Sequence, residues 1–235
     1  MTLVLAHRGS TARAPENTLV AFRAARADGA DGVELDVHRS ADGFLVVHHD
    51  AASPRLGVLA ELPAAAIRDA EPSIPTLAEA LDELAGLLVN VEVKNLPPDL
   101  DYDPAHRAVD ALVELLAARG GTDRVLVSSF NLGTVDRVRE LEPSLSTGLL
   151  TYGMEPGAAV GLAMEHGHGA WHPDRATLAR EPLEMVALAH GSGLEVNVWT
   201  VNDAEELVLF TDAGVDGVVT DVPDVAIRAL SGRRA

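Results

Sequence analysis

The feature that most constrains this chain is a rhythm: short β-branched runs alternate with amphipathic stretches of helical length from one end to the other. The runs predict strands at Thr2–His7, Gly32–His38, Leu88–Lys94, Arg124–Ser128, Ser146–Leu150, Gly169–His172, Leu194–Trp199 and Gly217–Thr220. Between them Asn17–Asp28, Thr76–Ala85, Pro104–Arg119, Leu132–Leu141, Leu183–His190 and Ala204–Ala213 carry apolar residues at helical spacing. Gly29, Gly120, Gly191 and Gly214 stand where helix ends want a left-handed cap. Parallel strands joined by crossover helices are covered on both faces, and eight such units close into a (β/α)8 TIM barrel. An open doubly wound sheet is the rival, and the sequence lacks the Gly-x-Gly-x-x-Gly loop it would carry. At 235 residues the chain suits one domain, 1–235, and no linker or low-complexity tract divides it. Residues Asp50–Ser73 read as a short insertion after the second strand, and Asn95–Asp103 as a Pro- and Asp-rich loop after the third. Both fall at the C-terminal face, where barrels of this kind place their chemistry.

Composition removes several function classes. There is no cysteine, so disulfides, thiolate nucleophiles and Cys-ligated metal sites are excluded. A formal charge of −18 argues against nucleic acid or an anionic membrane surface as partner. It also means that a site for an anionic substrate must supply its own local positive charge. The apolar run at the N-terminus is short and lacks a basic leader, so it reads as a strand and not as a signal peptide. No stretch approaches the ~18 uncharged apolar residues that span a bilayer, and the expected location is cytoplasmic. Of 18 basic residues 17 are Arg. The single lysine, Lys94, is therefore expected where a compact ammonium does what a planar guanidinium cannot.

Residues two apart on a strand share a face. Glu34 and Asp36 thus point together, as do Asn90, Glu92 and Lys94, while Val33, Leu35, Val37, Val89, Val91 and Val93 face the helices. Three carboxylates at barrel-facing positions are unfavourable unless paired or bound to a cation. One reading is an interior salt-bridge cluster closed by Lys94; the other is a site. Carboxylate oxygens without thiols suit a hard divalent ion, Mg2+ or Ca2+. His7-Arg8-Gly9 closes the first strand, with Pro15-Glu16-Asn17-Thr18 just downstream. There a guanidinium suits phosphate oxygens and an imidazole suits proton transfer. His48-His49-Asp50 ends the apolar run Phe44–Val47, a predicted hairpin over the same mouth. Two histidines from separate strand ends suit a general acid–base pair. His38 extends the Glu34–Asp36 face, His172 ends the sixth strand, and His106, His166, His168 and His190 read as ordinary surface residues.

These residues resemble the glycerophosphodiester phosphodiesterase family. The likeness runs through His7-Arg8-Gly9, Pro15-Glu16-Asn17-Thr18, Glu34-x-Asp36, Asp42-Gly43, His49-Asp50, Pro75-Thr76-Leu77 and Glu92-x-Lys94. It continues through Ser129-Phe130, Trp199-Thr200-Val201-Asn202 and Asp216-Gly217-Val218-Val219-Thr220-Asp221-x-Pro223. The ordered set covers nearly the whole chain. The resemblance implies metal ligands at Glu34, Asp36 and Glu92 and catalytic histidines at His7 and His49, with His48 pointing elsewhere. It implies phosphate-binding cations at Arg8 and Lys94, and a glycerol pocket lined by Phe130 and Trp199. Glu16 would orient Arg8, and Asn17 would shape the loop. The 50–75 stretch, in the family an insertion that helps cover the site, is short here and rich in Ala and Leu.

The activity implied is metal-dependent hydrolysis of glycerophosphodiesters to glycerol 3-phosphate and an alcohol, through attack of the glycerol 2-hydroxyl and a cyclic phosphate. The expected partner is a small-molecule glycerophosphodiester, and the expected assembly a monomer or homodimer. The runner-up is a phosphodiesterase of the same fold acting on lysophospholipids, with Leu56, Val58, Leu59 and Leu62 as a modest apolar lip. A third reading is a non-catalytic barrel that binds a phosphodiester.

Overall fold

A computed structural model describes residues 1–120 and 124–232; the other six positions of the expected 1–235 domain lie outside the described residues. The elements, in order, are β1 (Leu3–His7), α1 (Leu19–Ala27), β2 (Gly32–Arg39), β3 (Leu45–Val47), β4 (Ala52–Ser53), β5 (Gly57–Val58), α2 (Ala64–Ala70) and α3 (Leu77–Glu83). They continue with β6 (Leu88–Val93), α4 (Arg107–Arg119), β7 (Val125–Ser129), α5 (Leu132–Leu141), β8 (Ser146–Thr151), α6 (Pro156–Glu165) and β9 (Ala170–Pro173). The last are α7 (Arg175–Leu178), α8 (Pro182–Gly191), β10 (Glu195–Val198), α9 (Ala204–Ala213), β11 (Gly217–Thr220) and α10 (Pro223–Leu230).

The sheet runs β1-β11-β10-β9-β8-β7-β6-β2, and a β1–β2 pairing closes it. All eight pairings are parallel, so the closed (β/α)8 barrel read from the alternation is present. β3 adds antiparallel to β2, with Val37 opposite Val47, and forms the expected hairpin. Outward-facing valines of β2 and β6 pack with Phe22, Leu77, Leu112 and Leu116 of the surrounding helices. A second cluster around Trp171, Val196, Val218 and Phe210 covers the other side of the barrel.

Register places the polar inward residues side by side. His7 lies opposite Glu34, Glu34 opposite Asn90, Asp36 opposite Glu92, and Glu92 opposite Ser128. Neighbouring strands are ~4.8 Å apart, so residues on one level and one face become neighbours without any further device. Two glycines keep the interior open on the far side. A Cβ at Gly148 would collide with the imidazole of His172, and one at Gly217 with the amide of Asn197.

Segment 50–73 is built on its own small core. Leu59 and Ile67 are fully buried with Val46 and Ile74, and Leu56 and Leu62 pack against them. All three leucines expected to form an apolar lip therefore pack into this cluster, which leaves Val58 alone of the expected four. Helix ends follow the sequence except at Gly191, which lies within α8; Gly193, with φ +78°, makes the left-handed turn after it. Among the described residues no helix is long and apolar enough to cross a membrane.

Candidate active site

The first strand delivers His7 to the barrel mouth and then turns sharply. Arg8 has φ +56° and Gly9 φ +89°, and a Cβ on Gly9 would sit 2.7 Å from the Ala21 backbone, so only glycine lets the loop pack on α1. His7 Nδ1 donates to Asp221 Oδ1 at 2.7 Å, which leaves Nε2 facing the site, 4.0 Å from Glu34 Oε2. Asp221 follows β11 and is itself held by Thr11 Oγ1 at 3.1 Å and Asn202 Nδ2 at 2.6 Å. Burial disfavours the imidazolium, but the Asp221 hydrogen bond and the Glu34 charge outweigh it and leave the His7 pKa above its ordinary value. The same hydrogen bond takes Asp221 down to about 2.

Glu34, Asp36 and Glu92 converge: one oxygen from each lies within 4.8 Å of the others, and all three side chains are buried. Lys94 Nζ bridges Glu92 Oε1 at 2.5 Å and Asp36 Oδ1 at 2.8 Å. The ion-pair cluster and the site are thus the same set of atoms. Arg8 Nε lies 3.2 Å from Asp36 Oδ2, and its Nη1 donates to Glu16 at 3.0 Å. Asn17 Nδ2 donates to Asp36 Oδ2 at 2.8 Å, so Asn17 does more than shape its loop: it fixes a carboxylate. Three acids face two cations, and one negative charge is left over when all are ionised. Burial, then the Asp36 charge, pushes Glu34 up to about 8. Lys94 and Arg8 outweigh burial at Asp36 and hold its carboxyl below the ordinary range. An oxygen-only donor set with excess negative charge fits a hard divalent cation.

His49 follows β3, and its Nδ1 donates to Asp50 Oδ1 at 2.7 Å. Burial, helped by the charges of Lys94 and Arg8, puts its pKa below the ordinary value. His48 turns away, with Nδ1 on the Asp50 carbonyl at 2.8 Å. Beneath His49 lies a pairing between distant residues that no local pattern encodes. Buried His38 donates from Nε2 to the His49 carbonyl at 3.1 Å and from Nδ1 to Asp101 at 2.6 Å. This ties the hairpin to the Pro- and Asp-rich loop after β6.

His7, Arg8, Glu34, His49, Glu92 and Lys94 all line one cavity of about 260 Å³, whose walls include Phe130, Trp199 and His172. Phe130 and Trp199 meet edge to face at 5.4 Å, and Trp199 Nε1 donates to the His172 carbonyl at 2.9 Å. His172 is wholly buried and unpaired with any acid, and burial takes its pKa to about 3, so it is a neutral hydrogen-bonding wall. A wider cleft of about 560 Å³ opens beside it, sharing His49, Glu92, Lys94 and Phe130 and bounded by Ala51, Asn95, Leu96 and Leu100.

The candidate catalytic, metal-binding and substrate-binding residues reach this mouth, and Glu16, Asn17 and His38, expected on the Glu34–Asp36 face, brace it; Asp221, Asp101 and Asn202 were missed as site residues. Asp221 lies within a motif of the resemblance, but its part becomes visible only when closure brings β11 beside β1. His168, read as a surface residue, is buried against Thr147.

Comparison with known proteins agrees with the geometry. Residues 7–225 match the model of the glycerophosphoryl diester phosphodiesterase family. A glycerophosphodiester phosphodiesterase of Caldanaerobacter subterraneus subsp. tengcongensis is 33% identical over 251 residues, covering 97% of this chain and 98% of that protein. The crystal structure of the glycerophosphodiester phosphodiesterase of Thermotoga maritima superposes with a TM-score of 0.83 at 27% identity, over 97% of this chain and 98% of that one. An Oleispira antarctica phosphodiesterase, solved with the product sn-glycerol-3-phosphate, superposes at 0.86 and 27% identity, over 98% and 97%. With nearly its whole length matched, the chain belongs to the glycerophosphoryl diester phosphodiesterase family and is a phosphodiester hydrolase.

Proposed function

We propose that the chain hydrolyses glycerophosphodiesters to glycerol 3-phosphate and an alcohol, with Mg2+ or Ca2+ held by Glu34, Asp36 and Glu92. The observation that carries the reading is the shared cavity: Glu34, Glu92, two cations and two imidazoles border one space of about 260 Å³, and buried Asp36 converges on the same two carboxylates from behind. The Oleispira antarctica protein, of the same fold, binds glycerol 3-phosphate, which supports that product here. The cation, when bound, supplies positive charge to the phosphodiester oxygens. Arg8 and Lys94 donate to those oxygens and hold the phosphorus in place; phosphoryl chemistry depends mainly on such positioning and charge.

Each histidine has Nδ1 engaged by a carboxylate, so the proton moves at Nε2. His49, whose pKa is lowered, suits the base that takes the proton of the glycerol 2-hydroxyl. His7, whose pKa is raised, suits the acid that protonates the departing alcohol. The 2-hydroxyl oxygen forms the new bond to phosphorus as the alcohol leaves. Water then opens the cyclic phosphate. The glycerol end rests on Phe130 and Trp199, and the alcohol extends into the cleft toward Leu100.

Glycerophosphocholine turnover should vanish on chelation and return with Mg2+ or Ca2+, and His7→Ala or His49→Ala should each lower kcat by about 10²–10⁴-fold. An unaffected rate after chelation would remove the metal. Full activity in either variant would remove that histidine. A lysophosphatidylcholine rate equal to that with glycerophosphocholine would favour the lipid reading instead.

A further inference from the structure

Outside the barrel, on the side away from the mouth residues, Asp136 of α5, His166 at the C-cap of α6 and His168 just before β9 bring three ligand atoms within 4.8 Å of one another. The backbone sets this up. Gly167, with φ +72°, reverses the chain after α6 so that His166 and His168 present their rings side by side, centroids 6.2 Å apart and only 13° from parallel.

His168 carries the argument. Its side chain is fully buried, and its Nδ1 is engaged by Thr147 Oγ1 at 3.0 Å. That leaves Nε2 as the free ring nitrogen. It lies 3.2 Å from Asp136 Oδ1 yet off the hydrogen-bonding line, so it has no hydrogen-bond partner. A buried nitrogen held at ion-pair distance from a carboxylate, but not aligned for a hydrogen bond to it, needs an explanation. A metal supplies one, because the lone pairs of ligands point at the ion and not at each other. The spacing agrees. Ligands ~2.0–2.1 Å from a tetrahedral ion stand roughly 3.3 Å apart. His168 Nε2 lies 3.2 Å from Asp136 Oδ1, and His166 Nδ1, hydrogen-bonded to the same carboxylate, lies 3.0 Å from that oxygen. A second ring nitrogen held by a hydrogen bond, here to a hydroxyl, is also how ligating histidines are oriented.

We propose that Asp136, His166 and His168 form a second metal site, for a borderline divalent ion of the Zn2+, Co2+ or Ni2+ class, that ties α5 to the α6–β9 turn. Two imidazoles and one carboxylate favour such ions over Mg2+ or Ca2+, which the all-oxygen cluster at the mouth suits. The exposed face of His166 leaves room for water to complete the coordination. The role follows from position: the ion would brace the outer helices and leave the reacting groups untouched.

The test is the zinc content of chelator-stripped protein after equilibrium dialysis against Zn2+. Because the carboxylates at the mouth also take Zn2+, the reading is a difference: wild type should retain one equivalent more than His166→Ala or Asp136→Asn. His166 and Asp136 are partly exposed, so both variants should fold. Thr147→Val, which removes only the hydroxyl behind His168, should weaken the extra equivalent by about 10–100-fold. Co2+ should give a ligand-field absorption band in wild type that His166→Ala lacks. Equal zinc content and equal cobalt spectra in wild type and His166→Ala would overturn the proposal and leave an ion-paired His–Asp–His cluster.

Discussion

At the scale of single residues, the site is governed by which atom of each side chain is already engaged. Lys94 is the plainest case. Its ammonium stands between two buried carboxylates at 2.5 and 2.8 Å, a position for one compact charge. A guanidinium is broader and planar, so Lys94→Arg should lower kcat/KM by at least about 10-fold, or ~1.4 kcal/mol of transition-state stabilisation. Wild-type kinetics in that variant would reduce Lys94 to a replaceable counter-ion. His7 and Asp221 make a second case, read through stability. Asp221 is held down to about 2, so its contribution is present above the ordinary carboxyl range and lost as pH falls through that range toward 2. The His7 pKa is raised, so its contribution is complete below the ordinary imidazole value of about 6.5 and lost as pH rises beyond it. The pair therefore stabilises most between roughly pH 4 and 6.5. The Tm gap between wild type and Asp221→Asn, in metal-free protein, should be widest in that window and narrow on both sides. A gap that is flat with pH would show that the pair carries no linkage.

At the scale of elements, the two-residue period of the strands decides which side chains meet, and this is why so much was legible. Alternating Val-Glu-Leu-Asp-Val and Val-Asn-Val-Glu-Val in β2 and β6 separate a helix-facing apolar face from a polar interior face before any coordinates are known. Parallel register then does the rest. The illegible parts have physical reasons of their own. Helix α6 carries Gly157 and Gly161, each unfavourable by ~1 kcal/mol in a helix, and shows no distinct apolar stripe, so tertiary packing and not propensity makes it. Helix α10, absent from the predicted helices, opens on Pro223, whose missing N–H is harmless in a first turn. His38–Asp101 and His7–Asp221 join residues 63 and 214 positions apart, and no local pattern encodes such pairs. Small residues inside the barrel are equally silent in the sequence. Gly148 on β8 leaves the volume that the His172 ring fills, so Gly148→Ala should destabilise by about 1–3 kcal/mol through overpacking. Because His172 borders the cavity, the same change should raise KM for glycerophosphocholine. Unchanged denaturant midpoint and KM would show that the ring can move aside at no cost.

At the scale of the molecule, charge poses the question that the site must answer. The chain carries −18 overall, yet its proposed substrate and product are anions. The two cations at the mouth do not resolve this alone, because both are already committed. Arg8 faces Asp36 and Glu16, and Lys94 faces Asp36 and Glu92. In metal-free protein a phosphate would have to compete with buried carboxylates for the same donors, against the field of the whole molecule. With all three acids ionised, a divalent cation on Glu34, Asp36 and Glu92 would change the local balance from one net negative charge to one net positive charge. It would also satisfy the acids and release Arg8 and Lys94 toward substrate. Glycerol 3-phosphate should accordingly bind at least about 10-fold more tightly with saturating Mg2+ or Ca2+ than after chelation, measured by calorimetry. The difference should nearly vanish in Glu92→Gln, which removes one of the ligands and weakens the metal site. Trp199 borders the cavity while Trp171 is sealed in the outer core, so intrinsic fluorescence should respond to binding through Trp199 and the response should be lost in Trp199→Phe. Equal affinity with and without the cation would mean that the two basic residues are free for phosphate after all, and that the carboxylate cluster is held together by Lys94 alone.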